Sequence, residues 1–273
     1  MGMVAISVAF ASFVLSFKST QNYTAIDGPY FEGKFAEGSG SFDGSIKVVT
    51  WNLSFGNNPD LAIDTLRTAE PLQNADILLL QEMDEGGIDR IARQLGYNYI
   101  YYPATVHSRH GKNFGNAILS KWPIVRHNKF ILPNNREQAR IAVLAEVKIG
   151  DELFTVVNVH LETIWMLKWR GTKQADFMIQ QLHENVGDHL IIGGDFNTWS
   201  NASIKYLEKL FEKYNLIRAS SGSGYTFQYY GIQLMLDHIW LHDSHESTTG
   251  VWRETDASDH FPLWIDIKLG DTK

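Results

Sequence analysis

Six apolar runs carry acids, amides or imidazoles at one end. KVVTWN closes on Asn52, DILLLQE on Gln81 and Glu82, FTVVNVHLE on His160 and Glu162, and LIIGGDFN on Asp195 and Asn197. LDHIWL opens near Asp237 and His238, and SDHFPLWIDI opens on Asp259 and His260. Carboxylate and amide oxygens suit a hard divalent cation, Mg²⁺ or Mn²⁺, which keeps several of its waters. An imidazole beside a carboxylate suits a general base held in one tautomer. Together these are the parts needed to attack a phosphate ester with water. Each piece alone has a plainer explanation. Gly-Gly before Asp-Phe-Asn is good turn chemistry, and a lone histidine at a strand end is commonly structural. A single shared site explains all of them at once.

To meet, these residues need buried strands that end at a common rim. The Val-, Ile- and Leu-rich runs have strand length and continue to the end of the chain. Helix-like segments lie between some of them, at Leu61–Gln73, Ile88–Leu95, Trp169–Val186 and Ala202–Tyr214. Strands alternating with helices, some strands following directly on others, predict an α/β protein with mixed sheets. Ligands of open α/β sheets sit at strand ends. The last two runs carry their polar residues at their starts, so they should run antiparallel to the first four.

The chain has 273 residues, 44% hydrophobic and 20% charged, ordinary proportions for a folded body. It has no cysteine, which excludes disulfides and thiolate metal sites. A net charge of −7 provides no global field to draw in nucleic acid. The first 17 residues, MGMVAISVAFASFVLSF, carry no charge. They read as an export signal, a truncated anchor or an apolar arm packed on the body, the first two preferred. Membrane association through this segment is one expectation, and no protein partner is implied. Residues 18–45, rich in Gly and Ser, read as a linker or extended arm, and 46–270 as the catalytic domain.

TWN, LLLQE, GNAILS, NVHLE, GGDFN, LDHI and SDHFPL stand here in the order found in the endonuclease/exonuclease/phosphatase superfamily, which the chain resembles from Ile46 to Ile267. The resemblance implies a four-layer α/β sandwich, with two mixed sheets face to face and helices outside. It implies Glu82 as the principal ligand of Mg²⁺ or Mn²⁺, with Asn52 beside it and Asp259 as a further metal-side ligand. His160 would contact phosphate, and Asp195 and Asn197 would position the attacking water and the phosphoryl oxygen. Asp237 would orient His260, the general base, although Asp195 competes for that role. Arg140 and Asn116 would bind substrate.

The expected activity is phosphodiester hydrolysis, with an endonuclease acting on DNA placed first. Arg109, Lys112, Arg136 and Arg140 are the basic residues available to flanking phosphates. The alternative is a lipid headgroup or small phosphate ester. IWMLKWRG (Ile164–Gly171) and QYYGIQ (Gln228–Gln233) are its aromatic hints, although such rings could equally pack inward or stack on bases. A non-catalytic binding module ranks last, because the acids and histidines of the site are all present.

Overall fold

In the computed structural model the described residues are 19–38, 42–133, 138–162, 170–183, 189–242 and 246–269. They contain strands β1 (Ser19–Asn22), β2 (Phe31–Gly33), β3 (Ser45–Asn52) and β4 (Ile77–Met83). Then come β5 (Asn98–His107), β6 (Asn113–Ser120), β7 (Ile124–Ile131), β8 (Ile141–Ile149) and β9 (Glu152–His160). The rest are β10 (Leu190–Asp195), β11 (Leu216–Arg218), β12 (Phe227–Tyr229), β13 (Ile232–Leu234), β14 (Asp237–His242), β15 (Glu246–Val251) and β16 (Leu263–Lys268). The helices are α1 (Pro59–Thr68), α2 (Glu85–Leu95), α3 (Arg170–His183) and α4 (Asn201–Glu212).

One sheet has the order β1-β5-β6-β4-β3-β16-β15, with β2 also on β5, and the other the order β11-β14-β10-β9-β8-β7. Their inner faces meet in a core that includes Ile46, Val48, Leu79, Val143, Val156 and Ile239. The outer face of the first sheet packs Val49, Trp51 and Leu78 on Ile63, Leu66, Ile88 and Ile91 of α1 and α2. The outer face of the second packs Val157, Ile192 and Trp240 on Ile179, Leu182, Leu207 and Phe211 of α3 and α4. The fold is therefore a four-layer α/β sandwich, as the resemblance implied. Local chemistry fixes the helix ends. Asp84 caps α2 by accepting from Gly87 N at 2.9 Å, and Gly96 closes it in the left-handed region at φ 72. Ser200 caps α4.

The expected strand directions are met. β3 runs parallel to β4, and β9 parallel to β10. β14 is antiparallel to β10, and β16 antiparallel to β3. Hence β3, β4, β9 and β10 finish where β14 begins and where the chain enters β16. A buried polar link fixes the sheets in register beneath that rim. Gln81 Nε2 donates to Asn158 Oδ1 at 2.8 Å, and Asn158 Nδ2 donates to the carbonyls of Leu80 and Ala117 at 2.9 and 2.7 Å.

The arm after residue 18 is a pair of edge strands. β1 and β2 cover β5, which would otherwise present an open edge. The arm also reaches the second sheet. Asn22 Oδ1 accepts from Ala139 N at 2.9 Å, and the buried Lys129 donates to Gly28 O at 2.9 Å.

Candidate active site

Strand alternation explains why these side chains share one pocket. Successive residues point to opposite faces. Val48 faces the inter-sheet core, and so by parity does Asn52. Val156 carries His160 inward in the same way, Ile191 carries Asp195, and Ile239 carries Asp237. Glu82 breaks the rule, because Gln81 before it already points inward. A bulge between Leu80 and Met83, with Glu82 at φ 59, re-aims this carboxylate into the rim.

Asp195 stands directly opposite Asp237 on one side and His160 on the other. Its Oδ2 accepts from Asn52 Nδ2 at 3.0 Å, and it lies 3.6 Å from His160 Nε2 and 3.9 Å from His260 Nε2. Its Oδ1 accepts from Asn197 N at 2.8 Å, an Asx turn with Asn197 at φ 51. The second Asn52 contact runs to Glu82 Oε1 at 3.1 Å, so one amide bridges two acids. His260 Nδ1 lies 2.9 Å from Asp237 Oδ2, which leaves Nε2 turned toward Asp195. The backbone of His260 is held as well. Trp51 Nε1 donates to its carbonyl at 2.9 Å, and its own N–H donates to Ser258 Oγ at 3.2 Å.

Electrostatics follow from burial. Burial raises Glu82 despite the Asn52 amide, and the neighbouring Asp259 charge adds to the rise. Burial also pushes Asp195 up to about 7, against the pull of His260 and with help from Asp237. Burial opposes charge on His260, yet Asp237, Asp195 and Asp259 together carry it up to about 10. His160 is held well below its usual range by burial, by Arg140 and by His260, so it is neutral.

The chemistry of the expected metal side fits a divalent cation. Glu82, Asp195, Asp237 and Asp259 crowd one pocket, and the opposing charges that reach Glu82 are those of His260 and Arg140. The buried Asp237 Oδ1 has no hydrogen-bond partner. Asp195, Asp237 and His260 also bring ligand-type atoms within 4.8 Å of one another, but His260 Nδ1 is already engaged by Asp237. Glu82 and Asp259 are thus the better holders. Asn52 bridges the acids: its Nδ2 donates to Glu82 and Asp195, and its Oδ1 accepts from Ser54 N at 3.0 Å.

Arg140, Asn116, Asn197 and the two glycines of β10 complete the surroundings of the pocket. Arg140 is buried against the His160 ring, Nη1 lying 3.0 Å from Nδ1 and 3.1 Å from Nε2, with Nη2 3.9 Å from Glu162, so it braces His160. Asn116 is buried and donates to Ile141 O at 3.2 Å, and Asn197 Nδ2 donates to Leu161 O at 2.9 Å. These two amides support the rim backbone. Gly193 and Gly194 lie inside β10 and make no turn: a Cβ on Gly194 would sit 2.0 Å from Val159 O. Phe196 points outward into the helix-side core. Arg136 and the segment Ile164–Trp169 lie outside the described residues.

Sequence reasoning missed Gln81 and Asn158 as the link beneath the site, and Thr226, whose Oγ1 accepts from Leu236 N and Asp237 N. The signal for Gln81 and Asn158 was inward parity between apolar neighbours. Thr226 offers none.

Comparisons with known proteins agree with this geometry. An uncharacterised-family UPF0294 protein of Vibrio cholerae is 25% identical over 238 residues, which is 83% of this chain and 79% of that one. The chain spans less than half the length of the relatives from Vibrio campbellii and Vibrio vulnificus, 42% and 45%. Among solved structures, Danio rerio TDP2 complexed with a single-strand DNA product superposes with a TM-score of 0.67 at 16% identity, covering 82% of this chain and 99% of that one. A Bacteroides thetaiotaomicron mannosyl-6-phosphatase gives 0.63 at 20%, covering 81% and 99%. At these identities the superpositions speak for the fold. The sequence model described as the endonuclease/exonuclease/phosphatase family matches residues 49–260, from β3 to His260, and the chain belongs to that family.

Proposed function

We propose that this chain is a divalent-metal-dependent hydrolase of phosphodiester bonds. The observation that carries the reading is the convergence of Asn52, His160 and His260, from separate segments, on Oδ2 of Asp195. Water bound there gives its proton to the Asp195–His260 pair while its oxygen forms the new bond to phosphorus and the ester oxygen departs opposite. The two groups titrate as one unit, because they are buried and in mutual reach. Asp237 fixes the His260 ring through Nδ1 and stabilises its charge. Neutral His160 donates a hydrogen bond to a phosphoryl oxygen without adding a fixed charge. Glu82 and Asp259 would hold Mg²⁺ or Mn²⁺, which when bound polarises the phosphoryl oxygen and offsets the charge of the diester.

The sequence places DNA first among substrates. The described rim supplies few groups for a chain of flanking phosphates. Lys112 is exposed but paired with Asp84 at 3.1 Å, Arg140 is buried on His160, and Arg109 is exposed. Duplex recognition leans heavily on such contacts. The reading therefore rests on phosphodiester hydrolysis as a class, with plasmid DNA as one arm of its test.

The test is turnover of bis(4-nitrophenyl) phosphate and of plasmid DNA by protein stripped with chelator and reloaded with Mg²⁺ or Mn²⁺. Turnover should need the metal, and Asp195→Ala or His260→Ala should lower it by about 10²–10³-fold, the typical cost of removing one such group. Near-normal rates in either variant would overturn the mechanism.

A further inference from the structure

Thr226, the residue before β12, is fully buried, and its hydrogen bonds lead to the three segments that carry the proton side of the pocket. Its Oγ1 accepts from Asp237 N at 3.0 Å and from Leu236 N at 3.1 Å. Its carbonyl accepts from Phe261 N at 2.6 Å, and Gln228 N donates to Asp259 O at 3.0 Å, so this short stretch grips His260 by both of its chain neighbours. Between those two bonds Phe227 bridges to His260, its ring edge on to the imidazole at 5.0 Å. Leu236, held by the same hydroxyl, accepts at its carbonyl from Phe196 N at 2.9 Å, and Phe196 stands between Asp195 and Asn197.

A buried hydroxyl that satisfies two main-chain donors has a plain structural use, since an unpaired N–H there would be costly. The Asp237 side chain gives it a second one. Among the described residues that carboxylate has a single hydrogen-bond partner, His260 Nδ1 at 2.9 Å, and its Oδ1 has none. Its place is therefore set by its own main chain, and Thr226 holds that main chain at the residue itself. Proton transfer depends steeply on such placement.

We propose that Thr226 is a positioning residue for hydrolysis: its hydroxyl fixes the start of β14 so that Asp237 meets His260 Nδ1, and through Leu236 it keeps Asp195 in reach of His260 Nε2. The kinetic part rests on the phosphodiesterase reading, but the placement of the imidazole is measured without turnover.

Thr226→Val keeps the shape and removes the acceptor, whereas Thr226→Ser keeps the acceptor. Ile149→Val controls for lost stability alone, because Ile149 is buried and pairs with Glu152 at the far end of β9 from His160. With Mn²⁺-loaded full-length protein and bis(4-nitrophenyl) phosphate, Thr226→Val should lower kcat roughly 10²-fold, as a misplacement of about 1 Å does, with KM little changed. Thr226→Ser and Ile149→Val should stay near the wild-type rate. A histidine Nδ1–H held on a buried carboxylate gives a low-field proton resonance. Metal-free wild type and Thr226→Ser should show it, Asp237→Asn should lack it, and Thr226→Val should lose it or shift it upfield. An unshifted resonance in Thr226→Val, its absence from wild type, or a Thr226→Ser as slow as Thr226→Val would overturn the proposal. So would an equal fall in kcat for Ile149→Val, which would trace the loss to stability. Should Thr226→Val fail to fold, Thr226→Cys, with a weak sulfur acceptor, is read in its place by the same criteria. In protein inactive on every phosphodiester the parent reading fails, and the resonance alone decides whether Thr226 sets Asp237 against His260.

Discussion

Asp195 and His260 share a proton economy set by what surrounds them. Both pKa values are raised, the acid to about 7 by burial and the imidazole to about 10 by its three carboxylate neighbours. A raised pKa means that the folded state binds the proton more tightly than the unfolded chain. The His260 contribution to stability is thus fully present below about 6.5, its unfolded value, and is lost as pH rises through about 10. Lys129 acts oppositely, since burial lowers it to about 8, and folding then gains as pH rises above that value. Comparing wild type with Asp237→Asn cancels Lys129, which is common to both. Thermal melts of chelated protein from pH 6 to 9.5 should show the wild-type advantage over Asp237→Asn shrinking as pH rises. A constant difference would mean that Asp237 does not hold the His260 proton.

At the scale of elements, glycine pairs decide how closely strands bring these residues. In Gly194, at φ 141, an added Cβ would lie 2.0 Å from Val159 O and 2.8 Å from Val159 N, both backbone. In Gly193 the clash is with Leu79 Cδ1 at 2.5 Å, the end of a side chain that can turn away. Gly194→Ala should therefore cost about 3 kcal/mol or more, and Gly193→Ala clearly less. Denaturant melts of the two variants check the order, and equal costs would refute the close-approach argument. The same elements explain what the sequence disclosed. Runs such as LLLQE and LIIGGD are so apolar that strand and burial follow together, and polar termini on them mark a rim. β5 stayed hidden because NYIYYPATVH carries a proline and tyrosines whose hydroxyls bond to distant groups, as Tyr101 does to Met83 O at 2.8 Å. Glu82 was legible as a ligand type but not as a bulge, since a positive φ at a glutamate has no local sequence signal. The contact of Arg140 was hidden for a related reason: nothing in RIAVLAEVKI shows that its guanidinium would turn inward to His160.

For the whole molecule, the pocket exists only while the two sheets stay docked. Glu82 and Asn52 come from one sheet, and His160, Asp195 and Asp237 come from the other. Their inner faces are joined beneath the site by Gln81 and Asn158, and at one edge by the arm through Lys129 and Asn22. Against this attraction stands the crowding of Glu82, Asp195, Asp237 and Asp259; burial first, and then the Asp259 and Asp237 charges, hold Glu82 and Asp195 above their usual range. A divalent cation binding only the folded form should relieve that crowding and stabilise the whole sandwich by mass action, about 2.7 kcal/mol at a hundredfold excess over its Kd. For a domain of this size that is a rise in Tm of roughly 5–10 °C. Glu82→Gln removes the proposed principal holder and one of the crowded charges together. Its metal-free form should melt no lower than wild type, while Mn²⁺ should no longer raise its Tm. If Mn²⁺ stabilised Glu82→Gln as much as wild type, the cation would have to sit elsewhere, and the division of this pocket into a metal side at Glu82 and a proton side at Asp195 would be wrong.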